Sequence, residues 1–133
     1  MKKWDNFCRN LQVLATAGDK DLSDEFIVNG IIDKFNIQFE LSWKVLKELL
    51  RYEGRAVAAS GSPREILKEA NVVYDFIDEE AWLPMLQDRN DISHIYDGAA
   101  AKRLARKIIE EYIPVFLSLR ESLMSRYGDF LTQ

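Results

Sequence analysis

The chain has 133 residues, 47% of them hydrophobic and 30% charged, with a formal net charge of −4. That is enough apolar content for one ordinary core and too little for two independent ones, so residues 1–133 are read as a single domain. The acidic balance excludes a sequence-independent nucleic-acid binder that works by bulk counterion release, and it confines any polyanion site to a local basic patch. Three Trp, seven Phe and five Tyr supply bulky groups for the core. Cys8 is the only cysteine, which rules out an intrachain disulfide, fits a reducing compartment and reads as a small half-buried apolar residue. "MKKWDNFCRN" carries no apolar signal-peptide core and no stretch is long enough to span a bilayer, so a soluble, cytoplasmic protein without membrane association is expected.

In chain order the patterns are helical, without period-2 strands or internal repeats. A first helix is predicted from about Trp4 to Ala17, with Phe7, Leu11 and Leu14 on one side, ending at "AGDKD", where Gly18 can take positive φ. Ser23 reads as an N-cap with Asp24 and Glu25 in the first turn. The next pattern spaces Ile27, Ile31, Phe35, Phe39, Trp43, Leu46 and Leu50 three or four apart, the stripe of a long core-facing helix from about Asp24 to Tyr52 that stops near Gly54. After the small-residue loop "GRAVAASG", Ser62-Pro63-Arg64-Glu65 has the order of a capping box and predicts a short helix to about Asn71.

Asp78 is a plausible cap for "DEEAWLPMLQDRNDISHIY", with Trp82, Met85 and Leu86 on one side and Pro84 near the first turns or bending them. Gly98 marks a break before the last pattern, from Ala101 through Leu104, Ile108, Tyr112 and Phe116 to Leu123, kinked at Pro114. The tail from Gly128 is expected to fray. Two long helices, several shorter ones and brief connections predict an all-α, up-and-down four- or five-helix bundle.

Several chemistries can be set aside. "SGSPR" has the Gly-Ser that opens a nucleotidyltransferase site, but no Asp-x-Asp/Glu pair follows on a strand to hold magnesium, and the helix-cap reading is the simpler one. There is no Gly-rich phosphate loop, no Cys/His metal set and no Gly-x-Ser-x-Gly elbow, so neither metal nor cofactor is expected. Glu40 and Lys44 form an i,i+4 pair in the favourable order, read first as a surface ion pair. Trp43 and Trp82 read as core.

His94 is the only histidine, and a lone histidine near a helix end commonly caps or packs. Its neighbours Arg89, Asn90 and Tyr96 suit another role. An arginine can fork two donors onto a phosphate, and an imidazole can move a proton to or from a ribose hydroxyl, as metal-free RNA cleavage requires. On one regular helix Asn90 and His94 share a face, whereas Arg89 and His94 point about 140° apart. They converge only through the long arginine side chain or if the helix ends between Asn90 and His94. In-line cleavage also needs both an acid and a base, and a symmetric dimer would bring two copies of Arg89 and His94 into one cleft.

Residues Arg89 to Tyr96, "RNDISHIY", resemble the Arg-x4-His-x-Tyr motif of the HEPN superfamily. Most of the chain is similar to one branch of it, the nucleotidyltransferase substrate-binding proteins that accompany a minimal nucleotidyltransferase. "FELSWKVLK" (Phe39 to Lys47), "SPREILKEA" (Ser62 to Ala70), "WLPMLQDRNDISHIYD" (Trp82 to Asp97) and "EEYIPVF" (Glu110 to Phe116) carry the likeness over roughly residues 25–120.

The resemblance implies a helical bundle, a homodimer with the motif at its cleft, and a complex with the nucleotidyltransferase subunit. In toxin–antitoxin members of the superfamily, the HEPN protein is a metal-independent ribonuclease that its partner silences by AMPylation of the motif tyrosine. Carried onto this chain, Arg89 binds phosphate, His94 is the acid/base, Asn90 or Ser93 is polar support, and Tyr96 is the modified hydroxyl. Glu40 and Lys44 match the Glu-x-x-Trp-Lys segment and become possible cleft residues. Other members of the branch are non-catalytic substrate binders, so two functions remain open: an RNA-cleaving toxin, and a binding subunit that does no chemistry.

Overall fold

The computed structural model describes residues 1–133 as an all-helical chain without strands. Helix α1 spans Lys2–Leu14, α2 Glu25–Tyr52, α3 Pro63–Val73, α4 Glu79–Asn90, α5 Gly98–Lys107 and α6 Ile113–Leu131. Short 3-10 turns lie at Ala17–Asp19, Ala56–Ala59 and Ile92–His94, and a π-helical segment, Ile108–Tyr112, joins α5 to α6 in one continuous rod. With that rod counted once, the bundle has five helices.

Helix α2 is the axis of the packing. Contacts Lys3–Glu48, Phe7–Gln38 and Asn10–Lys34 run in opposite senses along α1 and α2 and make them antiparallel. Phe35 meets Tyr112 and Phe116 while Tyr52 meets Tyr127 and Phe130, so α6 runs parallel to α2. Trp82 stacks edge-on against Phe116 and Asp88 reaches back to Tyr112, so α4 opposes that rod. One cluster of 34 buried apolar residues takes members from all six helices. Burial of such side chains, about 1.5–3 kcal/mol each, is the main force assembling the bundle. Its buried polar residues pair with one another and with the backbone: Asn10 donates to Gln38 at 2.8 Å, Gln38 to the Phe7 carbonyl at 3.2 Å and Ser42 to the Gln38 carbonyl at 2.6 Å. No helix is long and apolar enough to cross a membrane.

Local chemistry explains the ends. Asp24, not Ser23, caps α2 by accepting from the Phe26 and Ile27 amides, because Ser23 is tied into a turn with Asp21. Gly54, with φ +78°, ends α2 in the left-handed region open to glycine. Ser62 and Glu65 form the reciprocal capping box of α3, and Asp78 caps α4.

Other expectations are corrected as well: α1 ends at Leu14, and Gly18 lies inside the Ala17–Asp19 3-10 turn without a positive φ. Gly98 is the first residue of α5, with Asp97 as its cap, so the break lies one residue earlier. Pro114 does not stand at a simple kink: the preceding π segment absorbs the missing N–H and the ring's clash with the carbonyl four residues back. The tail does not fray at Gly128: the helix kinks at Tyr127, where φ is −127°, but helical residues continue to Leu131, which is fully buried, and the Met1 amino group donates to the Leu131 carbonyl at 2.9 Å.

Candidate functional site

Helix α4 ends at Asn90, and Asp91 leads into the Ile92–His94 3-10 turn. Gln87 Nε2 donates to the Asp91 carboxylate at 3.1 Å, and the Asp91 carbonyl accepts from the His94 amide at 2.9 Å, closing the Ile92–His94 turn. The regular helix therefore does not carry both Arg89 and His94.

Arg89, on the last turn of α4, is clamped from three sides. Its Nη2 pairs with the Glu40 carboxylate of α2, its Nη1 donates to Asn90 Oδ1 at 3.0 Å, and its guanidinium carbon lies 5.7 Å from the centre of the buried Phe39 ring. Glu40 also faces Lys44 at 3.5 Å. Burial alone would raise the Glu40 pKa. The nearby Trp43 indole N–H, Arg89 and Lys44 outweigh it and hold the carboxyl below its ordinary range. The buried Trp43 Nε1 has no partner at full hydrogen-bond geometry, so its effect on Glu40 is that of a close dipole.

Glu40 and Lys44 from α2, Arg89 and Asn90 from α4, and Ser93 from the turn line one open groove of about 620 Å³, floored by Ile37, Leu41 and Ile92. Five of the seven sequence-predicted site residues thus share a concavity. His94 and Tyr96 do not line it. His94 is exposed on the 3-10 turn, and Tyr96, 87% exposed, borders a second groove of about 560 Å³ between the starts of α2 and α5. Ile92 is the wall between the two grooves.

Behind Arg89 lies a network that the sequence did not point to. Asp88 accepts from the Tyr112 hydroxyl and sits 3.0 Å from Lys107 Nζ, so one carboxylate holds both ends of the π segment. Lys107 also lies over the Tyr112 ring at 5.5 Å. Burial and the hydrogen bond to Asp88 push the Tyr112 phenol up to about 12, and Asp88 raises the Lys107 pKa. Tyr112 was legible only as a core position, because its ring is buried while its hydroxyl is not free. The one available signal was its place in "EEYIPVF".

An arginine, a lysine, a glutamate and three neutral polar residues, Asn36, Asn90 and Ser93, line one groove beside a turn that carries an exposed imidazole and leads to an exposed phenol. Fold and groove together define a helical-bundle protein with a small cationic site at a helix end. The family model described as nucleotidyltransferase substrate binding protein like matches residues 1–125, and the chain belongs to that family. No curated protein matches the chain at a significant level.

Proposed function

We propose that this chain is the HEPN-type partner subunit of a minimal nucleotidyltransferase, a metal-independent ribonuclease silenced by AMP addition to Tyr96 and working as a homodimer in the cytoplasm. The family's description implies the nucleotidyltransferase partner. The observation that carries the RNA-cleaving reading is the end of α4 between Arg89 and His94, which removes the helical offset that would keep them apart. In this reading Arg89 and Lys44 bind the scissile phosphate, with Asn90 and Ser93 as polar support. His94 moves the proton as the ribose 2′-oxygen attacks phosphorus and the 5′-oxygen leaves, and His94 of a second copy supplies the complementary proton transfer. Silencing is nucleotidyl transfer. The Tyr96 hydroxyl oxygen attacks the α-phosphorus of ATP, its proton passes to a base of the transferase, and pyrophosphate leaves.

One observation favours the alternative, a non-catalytic substrate-binding subunit: the Arg89 charge is already met by Glu40, and His94 lies outside the Arg89 groove. Metal-free incubation with total cellular RNA separates the two, using wild type and His94→Ala with the intact mass of each recorded. Cleavage by wild type that falls by about 10²–10⁴ in the variant is expected. Equal cleavage by both removes His94 from the reaction. No cleavage by an unmodified wild-type dimer leaves the substrate-binding reading in place. A mass increased by AMP units means that the protein was isolated silenced.

A further inference from the structure

The groove that Tyr96 borders is unused by the chemistry assigned to Arg89 and His94, and its construction is that of a ligand seat. Its volume, about 560 Å³, lies within the roughly 300–1,000 Å³ of small-molecule pockets. Val28 and Ile32 of α2, Ile92 and Ile95 of the turn, and Ala101 of α5 give it an apolar floor. Such a floor suits a flat, weakly hydrated heterocycle. The polar rim is unequal in kind: Glu25, Asn29 and Asp97 offer acceptor oxygens, and Lys102 is the one cation.

We propose that this groove is the seat of the nucleotide attached to Tyr96, holding its adenine base on the apolar floor while Lys102 faces the phosphodiester. The inference rests on the reading of Tyr96 as the hydroxyl that receives AMP, and it adds where the adduct goes and which residues hold its base. Adenine presents an exocyclic amine where guanine presents a carbonyl, and a rim of carboxylates accepts from the former and repels the latter. Asn29 can pair with the N6/N7 edge of adenine through both atoms of its amide. Neither feature requires the chain to move, because the phenol already stands at the mouth of the groove. A seated adduct also accounts for silencing. It fixes a phosphodiester anion on Tyr96, two residues from His94 and in a groove that shares Ile92 with the Arg89 groove, where it repels the phosphate of an incoming RNA.

The test uses the full chain modified by its partner transferase with ATP, with intact and peptide mass locating the adduct first. Through-space NMR contacts are then sought between adenine H2 and H8 and the methyl groups of Val28, Ile32 and Ile95. Release of AMP by a phosphodiesterase is timed in parallel. The wild-type adduct should show those contacts and release AMP at least tenfold more slowly than a denatured peptide carrying the same adduct. Asn29→Ala, at an exposed position, and Lys102→Ala, at a half-buried one, should accept AMP yet speed its release severalfold. A Tyr96 adduct whose adenine touches none of these methyls and is released at the peptide's rate overturns the seat but leaves silencing by modification standing. Absence of any adduct on Tyr96 overturns both.

Discussion

The Arg89 guanidinium at the end of α4 is paired with the Glu40 carboxylate at the middle of α2, 49 residues away in sequence. The one arginine of the groove is thus held at a fixed point and partly neutralised. If Arg89 binds a phosphate, Glu40 competes with that phosphate. Glu40→Gln should tighten binding of a short RNA, measured by fluorescence anisotropy in a His94→Ala background so that nothing is cut. The stability cost should be at most about 1 kcal/mol, since the pair is partly exposed. The pH dependence has a definite sign. The folded-state pKa of Glu40 is depressed below 4.5, so the pair's contribution is present above that value and lost as pH falls through the lower folded one. Wild-type RNA binding should therefore strengthen in that acid range, and the Gln variant should lack this component. Equal affinities at neutral pH would count against phosphate binding by Arg89.

The Asp88 network predicts an alkaline transition. Tyr112 and Lys107 both hold their protons more tightly folded than unfolded, so their stabilisation is complete below pH 10.0 and is lost as pH rises through about 12. Ultraviolet difference titration should find one tyrosine ionising near that upper value, absent in Tyr112→Phe. Asp88→Ala leaves Lys107 and the buried Tyr112 hydroxyl without their acceptor and should cost about 1–3 kcal/mol by denaturant unfolding. It should also lower RNA affinity, because Asp88 anchors the turn that carries Arg89. A variant as stable as wild type would mean that the π segment holds itself.

The entrance to α3 can be tested by two substitutions of different kind. Ser62→Ala removes the capping box and should cost about 1 kcal/mol. Gly61→Ala should cost more, about 1–3 kcal/mol, because a Cβ there would stand 2.6 Å from the Val57 carbonyl oxygen, which already accepts from the Gly61 amide. Thermal melts that ranked the two in the reverse order would show that the Ala56–Ala59 turn yields easily.

Cys8 is half-buried, and burial raises its thiol pKa. It should react slowly with iodoacetamide at neutral pH, far below the rate of an exposed thiol peptide, since the thiolate is the reactive species. Alkylation should leave RNA cleavage unchanged. Loss of activity in step with modification would assign Cys8 a role that its position on α1, against the core, does not suggest.

The sequence by itself determined what local rules govern. The spacing of Phe35, Phe39, Leu46 and Leu50 set the core stripe of α2, the Ser62/Glu65 box opened α3, Asp78 capped α4, and "RNDISHIY" together with its flanking segments carried the family. Local hydrogen bonding and helical period act over a few residues, so they are written in adjacent letters. Only the tertiary structure decided that Glu40 neutralises Arg89, that Asp88 ties Lys107 to Tyr112, and that Ile92 divides the Arg89 groove from the one beside Tyr96. These depend on how three helices pack side by side, and packing brings together residues whose separation in the chain carries no periodic signal. The π segment before Pro114 belongs with them. A proline announces that a helix must change, but the neighbouring Asp88 and the buried Tyr112 ring set the form of that change.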